Sequence, residues 1–278
     1  MITPDARLTL ARADLAAADL EGRVKAARYA ATQPMTCVVP AAALRRAPQP
    51  GAEQLDQLLF GETFAVLDTE GGWAWGQAAR DGYVGFVALD HLGPLAPAPT
   101  HWVSALRAYA FVEPSIKSAP QGLYSMNALV SVEARDGRFA HVAGVGWFVE
   151  RQLSLIGQVE PDPAAIAEQF AGAAYQWGGR ESLGLDCSGL VQQALLACGY
   201  ACPRDTDMQA SLGAPVAREA LRRGDLVFWR GHVGMMQDET RLIHANAHHM
   251  AVTIEPLALA IDRIGKTETG QPTAFRRV

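Results

Sequence analysis

The chain has 278 residues, 49% of them apolar, and 24 basic against 29 acidic side chains give it a formal net charge of −5. That length and apolar content provide for more than one core, and the spread of charge excludes the basic field that nucleic acid or an anionic membrane requires. Four cysteines, Cys37, Cys187, Cys198 and Cys202, are too few for a disulfide framework.

Residues 1–35 form an N-terminal extension in which Asp14-Leu-Ala-Ala-Ala-Asp-Leu-Glu21 predicts one or two short helical turns ahead of Pro34. Asp, Arg and Glu interrupt the apolar residues of Met1–Arg23, so no run of signal-peptide length forms there. No stretch nears the roughly 20 apolar residues that cross a bilayer, and a cytoplasmic location is the expectation. Residues 36–95 change to short alternating segments, among them Thr63-Phe-Ala-Val-Leu67, Trp73-Ala-Trp-Gly-Gln77 and Tyr83-Val-Gly-Phe-Val87. With hairpin signals at Gly71-Gly72 and Asp81-Gly82, this pattern predicts a small β-barrel. Pro94, Pro97 and Pro99 make Gly93–Thr100 a semi-rigid linker. Residues 96–158 hold a second strand-rich unit, with strands expected at Trp102–Leu106, Ala128–Ala134, Phe139–Ala143 and Gly146–Val149. Pro161 and Pro163 open a third unit, 159–278, whose first helix is expected over Ala164–Phe170.

In that unit a glycine-rich loop, Tyr175-Gln-Trp-Gly-Gly-Arg-Glu-Ser-Leu-Gly184, leads to Leu185-Asp-Cys-Ser-Gly-Leu190. Leu190, Val191, Ala194, Leu195 and Cys198 line one helical face, and Gly199 ends the helix. Cys187 is therefore at a helix N-terminus, where the macrodipole can lower a thiol pKa from about 8.5 to roughly 3.5–7.5. A buried structural cysteine is the competing reading. Gly178, Gly179 and Gly184 allow either an ordinary turn or close approach to a ligand.

A nucleophilic cysteine needs a base and a group that orients the base. After the strand Asp225–Trp229, the segments Gly231-His-Val-Gly-Met-Met236 and Arg241-Leu-Ile-His-Ala-Asn246 read as a hairpin turning through Gln237-Asp-Glu239. A hairpin symmetric about Asp238 pairs Met236 with Thr240, Gly234 with Leu242 and His232 with His244, facing Cβ atoms lying about 4.5–5.5 Å apart. One imidazole could then act as base and the other fix its tautomer, whereas a slip of one residue would send them to opposite faces. Met235 and Met236 read as packing. No metal is expected: His244 and His248 are not on a helix, no carboxylate has metalloprotease spacing, and Cys198 with Cys202 is not a C-x-x-C pair.

In order, Tyr175-x-Trp-Gly-Gly, Asp186-Cys-Ser-Gly, Pro203-Arg-Asp-Thr, Gly224-Asp-Leu-Val-Phe, Gly231-His-Val-Gly-Met and Leu242-Ile-His-Ala resemble the NlpC family of papain-like cell-wall peptidases. Leu44-Arg-Arg-Ala-Pro48, Leu58-Leu-Phe-Gly-Glu62, Gly72-Trp-Ala-Trp75 and Asp81-Gly-Tyr-Val-Gly-Phe-Val87 resemble a bacterial SH3-like domain. The second strand-rich unit, lacking that last motif, is either another such domain or a β-rich spacer. The implied fold is α+β, a papain-like peptidase domain at the C-terminus preceded by two small SH3-like β-barrels.

The resemblance implies Cys187 as nucleophile, His232 as general base and His244 as the orienting residue. In the subgroup acting as γ-D-glutamyl-L-diamino acid endopeptidase, the positions of Tyr175, Asp186 and Ser188 bind the L-alanine end of the stem peptide. Asp186 would pair with its ammonium. The first SH3-like domain would add an aromatic, Tyr83, and an acid, Asp56 or Glu53. The implied reaction cleaves the γ-D-glutamyl–diamino acid bond of L-Ala-γ-D-Glu-diamino acid peptides through a thioester, without cofactor. A demand for a free amino terminus would favour released muropeptides, and so recycling, over intact wall. Another thiol-dependent amidase or acyltransferase, or a wall-peptide binding protein without catalysis, stands as the alternative.

Overall fold

The computed structural model describes residues 5–278, in two compact units divided between Ile156 and Gly157.

In the first unit the segment Asp14–Glu21 is not mainly helical. Leu15–Ala17 is a short strand paired in parallel with Arg28–Ala30, followed by a single 3₁₀ turn at Ala18–Leu20. Burial decides the matter: Leu15 and Ala17 pack with Leu10 and Trp75, and the Arg12 guanidinium lies 4.1 Å from the centre of the Trp75 ring. The sheet that contains Trp75 begins at Gln33–Cys37, inside what composition suggested was the extension. Its seven strands include Ala41–Arg45, Gln54–Leu59, Thr63–Glu70, Trp73–Ala78 and Val84–Ala88. Gly71 and Gly72, at φ of 56° and 83°, supply the left-handed turn that joins Glu70 to its partner Trp73.

The second β region has a three-stranded and a five-stranded sheet. Two of its strands, Arg107–Phe111 and Pro120–Ser125, were not expected from the sequence. Ala108, Ala110, Tyr124 and Phe148 fill its core, joined there by Leu59 of the first sheet.

The second unit is built on a nine-stranded sheet. Its central strands, Leu226–Trp229, His232–Met236, Arg241–Asn246 and Ala251–Pro256, run antiparallel. Helix α1 (Pro163–Gln169) is capped by Asp162, which accepts the Ala164 N–H. Helix α2 (Cys187–Ala197) ends where Gly199 adopts φ of 80° and Tyr200 donates its N–H back to the Leu195 carbonyl, a Schellman-type stop. A short turn, α3 (Thr206–Gln209), and α4 (Leu257–Gly265) complete the helices. Val227, Trp229, Met236 and Leu242 pack under Ala260, Ile261 and Ile264 of α4. The equally buried alternate residues Val233, Met235 and Ile243 turn to the other face, where α1 and α2 pack. Strands covered on both sides explain the nearly continuous apolar runs of this region.

Candidate active site

Helix α2 starts at Cys187 because Asp186 caps it. One Asp186 oxygen accepts the Gly189 N–H at 2.7 Å and the other accepts the Gly178 N–H at 2.9 Å, so a single carboxylate closes the helix and clamps the glycine loop. Arg204, 1% exposed, lies against the same group: Nη2 donates to Oδ2 at 2.7 Å, and Nη1 donates to Oδ1 at 3.0 Å and to Ser188 Oγ at 2.8 Å. The Ser188 hydroxyl donates to Asp186 Oδ1 at 3.2 Å. Gly189 has no room for a side chain, since a Cβ there would meet the Gly179 carbonyl oxygen at 2.2 Å. Asp186 was expected to be available to a substrate ammonium. Its charge is instead compensated by Arg204, and both oxygens already hold protein donors.

The Cys187 thiol is buried, with the backbone N–H groups of Val233 and Ser188 directed at its sulfur. Burial first and the Asp186 carboxylate second push its pKa up to about 12, and those N–H groups with Arg204 offset only part of this. The lowered pKa expected from the helix N-terminus is thus reversed by desolvation.

Val233 follows His232, so the sulfur lies against the start of the histidine strand. The hairpin register differs from the symmetric one: Met235 pairs with Ile243 and Met236 with Leu242. The turn is longer because Asp238 accepts the Thr240 and Arg241 N–H groups while Gln237 donates to the Arg241 carbonyl. Partners move by two residues rather than one, so both histidines keep a common face. His232 Nε2 and His244 Nδ1 are 2.8 Å apart. Burial, with His244 and Arg263 adding to it, lowers the His232 pKa to about 3; burial also lowers His244, against the pull of Glu255. Both rings are neutral at pH 7. Glu255 Oε1 lies 2.8 Å from His244 Nε2, and Arg263 of α4 donates to the same oxygen. The hydrogen bond from His244 holds the Glu255 carboxyl below the usual carboxylate range.

Tyr175 is half-buried, within electrostatic reach of Cys187 and Asp186, and burial raises its pKa so that the hydroxyl keeps its proton. A neutral thiol beside the start of the strand that carries a neutral imidazole pair, with a phenolic donor within electrostatic reach, suits nucleophilic attack on a carbonyl.

Residues 172–261 match the NlpC/P60 family model. The C-terminal unit therefore contains an NlpC/P60 domain. Residues 44–92 match a second model, described as the bacterial dipeptidyl-peptidase Sh3 domain. The γ-D-glutamyl-L-lysine dipeptidyl-peptidase of Bacillus subtilis (strain 168) is 29% identical over an alignment of 211 residues that covers 68% of this chain and 71% of that protein. The protein of the same name from Bacillus cereus (strain ATCC 10987) is 26% identical over 72% of this chain and 70% of its own. A solved NlpC/P60 family protein from Bacillus cereus ATCC 10987 shares the fold, with a TM-score of 0.74 at 21% identity, covering 88% of this chain and 99% of that one. The protein is accordingly an α+β cysteine peptidase with an SH3-type domain ahead of its NlpC/P60 domain.

The remaining expected site residues lie in the first unit. Tyr83 lines a cleft of about 360 Å³ with Trp75, Arg12 and Arg46. Asp56 is fully buried on the strand Gln54–Leu59, opposite Leu44, which removes it from any surface a peptide could reach. Glu53, the other candidate acid, is ion-paired with Arg46 at 2.7 Å. Sequence reasoning assigned no role to Arg204 or Glu255. Arg204 was visible inside the Pro203-Arg-Asp-Thr motif, whereas Glu255 becomes legible only once the pairing of the strands is known.

Proposed function

We propose that Cys187, His232 and His244 are the catalytic residues and that the substrate is a peptidoglycan stem peptide with a free amino terminus, cleaved between γ-D-glutamate and the diamino acid. The observation that carries this reading is the His232–His244 hydrogen bond beside a cysteine whose sulfur meets the Val233 N–H. The dipeptidyl-peptidase names of the two Bacillus relatives support an enzyme that counts from a free amino terminus.

In this reading His232 takes the thiol proton as the Cys187 sulfur bonds to the γ-carbonyl carbon. The resulting oxyanion is met by the Cys187 N–H at the helix start. As the C–N bond breaks, the imidazolium returns its proton to the leaving amine; water activated by the same ring then hydrolyses the thioester. Because Asp186 is already neutralised by Arg204, the Tyr175 hydroxyl and the Ser188 oxygen are the groups we assign to the substrate's terminal amine. Tyr83 is assigned as an aromatic contact from the first unit, and the second β region as another SH3-like module. Released wall peptides in the cytoplasm, hence recycling, are the proposed setting.

Mass spectrometry of products from L-Ala-γ-D-Glu-diamino acid peptides with free and acetylated amino termini tests the reading. Cleavage at the γ-glutamyl bond of the free peptide alone, abolished by Cys187→Ala, is expected. Equal cleavage of the acetylated peptide would refute the amino-terminal requirement, and an active Cys187→Ala protein would refute the catalytic assignment.

A further inference from the structure

Glu255 lies on the strand Ala251–Pro256 opposite Leu242, next but one to Thr253, which pairs with His244. It therefore meets His244 diagonally across two strands, on the face of α4. The contact forms the end of a continuous chain: Arg263 donates to Glu255 Oε1, Glu255 Oε1 lies 2.8 Å from His244 Nε2, and His244 Nδ1 lies 2.8 Å from His232 Nε2.

The chemistry of the donors allows one direction of hydrogen bonding along that chain. A carboxylate has only acceptors, and an arginine on the same oxygen keeps it ionised. His244 must then carry its hydrogen on Nε2. Being neutral, it holds a lone pair on Nδ1 and can only accept there. His232 must in turn donate from Nε2, which leaves the lone pair of that ring on Nδ1, the nitrogen that His244 does not engage. Without the carboxylate, His244 could carry its hydrogen on Nδ1 and donate it to His232 Nε2. His232 would then hold its proton on Nδ1 and have no basic nitrogen to offer a thiol.

We infer that Glu255 is a positioning residue, which fixes the tautomers of both imidazoles so that Nδ1 of His232 is the basic nitrogen, and that Arg263 holds Glu255 in place for this. The inference rests on the catalytic roles proposed for Cys187, His232 and His244. A purely structural alternative is that the Glu255–Arg263 pair only ties α4 to the sheet, in which case the histidine tautomers would be indifferent to it.

¹⁵N NMR of histidine-labelled, full-length protein separates the two. In the wild type both His232 and His244 are expected as Nε2–H tautomers; an Nδ1–H signal from His232 overturns the inference with no variant needed. Glu255→Leu removes the acceptor and is expected to move His232 to the Nδ1–H form, and to lower kcat about 10- to 100-fold, the range typical of orienting partners one step behind a reactive group, with KM little changed. Glu255→Gln can still accept through its carbonyl, which Arg263 would hold in place, and is expected to keep the wild-type tautomer and most of kcat. An unchanged His232 spectrum in Glu255→Leu, or a Glu255→Gln protein as impaired as Glu255→Leu, overturns the inference. The two levels fail separately: full activity in Cys187→Ala removes the catalytic assignment without touching the spectra, whereas an inactive Cys187→Ala with the wrong wild-type tautomer removes Glu255 alone.

Discussion

Replacing Arg204 by methionine should be among the most damaging single changes available in the C-terminal unit. The guanidinium is buried and makes paired hydrogen bonds of 3.0 and 2.7 Å to the two oxygens of Asp186. Methionine fills much of the space but leaves a buried carboxylate whose remaining donors are two backbone N–H groups and the Ser188 hydroxyl. Breaking one side of a buried ion pair costs about 3–5 kcal/mol. With an unfolding entropy near 2.1 cal/mol/K per residue, a unit the size of Gly157–Val278 should lose about 12–20 °C in Tm. Differential scanning calorimetry would measure this directly. The double variant Asp186→Asn with Arg204→Met removes both charges while the Asn side chain can still accept the Gly189 N–H, and it should recover part of the loss. A Tm decrease below about 4 °C for Arg204→Met, equivalent to roughly 1 kcal/mol, would falsify the view that Arg204 holds the Cys187 loop through Asp186.

Alkylation of Cys187 by iodoacetamide should be slow at pH 7 and still rising above pH 9, because its thiol loses its proton only near pH 12; a plateau reached by pH 5 would indicate a preformed thiolate instead. His232 is neutral when folded down to about pH 3 but takes a proton near pH 6.5 when unfolded. The unfolded chain then binds more protons across that interval, so stability should fall as pH drops from about 6.5 towards 3, and urea titrations of His232→Gln should show a flatter profile there. Gly189→Ala should destabilise by about 1–3 kcal/mol through overpacking against the Gly179 carbonyl, seen as a lower urea midpoint; an unchanged midpoint would mean the loop moves freely. Tyr175→Phe should lower kcat/KM on free-amine peptides about tenfold or more, a hydrogen bond to a charged group contributing roughly 1.5–3 kcal/mol, and an equal loss on N-acetylated peptides would contradict its assignment to the amine.

Local signals carried the parts of this molecule that local physics decides. The start of α2 at Cys187, its apolar face and its stop at Gly199 were all readable, since each depends on residues within one helix, whereas the capping role of Asp186 was not. The histidine hairpin was readable as to face but not as to register, because the Asp238 side chain lengthens the turn by drawing in the Thr240 and Arg241 N–H groups. Leu15–Ala17 misled because its Ala and Leu spacing suits a helix, while burial against Trp75 selects a strand. Arg107-Ala-Tyr-Ala-Phe111 alternates strictly, but its large residues face outward, Tyr109 being 49% exposed, and its alanines fill the core. That inverts the usual cue. The thiol pKa and the pairing of Asp186 with Arg204 depend on burial, which only the folded chain defines.

The Asp186 carboxylate is simultaneously helix cap, loop clamp and counter-ion. Anyone wishing to alter the proposed amino-terminal specificity therefore has little freedom next to Cys187. Libraries randomised across Asp186–Gly189 would be dominated by clones that fail to fold, and their low activity would say nothing about recognition. Evolvable selectivity should reside in side chains whose backbone is secured by others, which makes Tyr175 a better starting point than the acidic residue adjoining the cysteine.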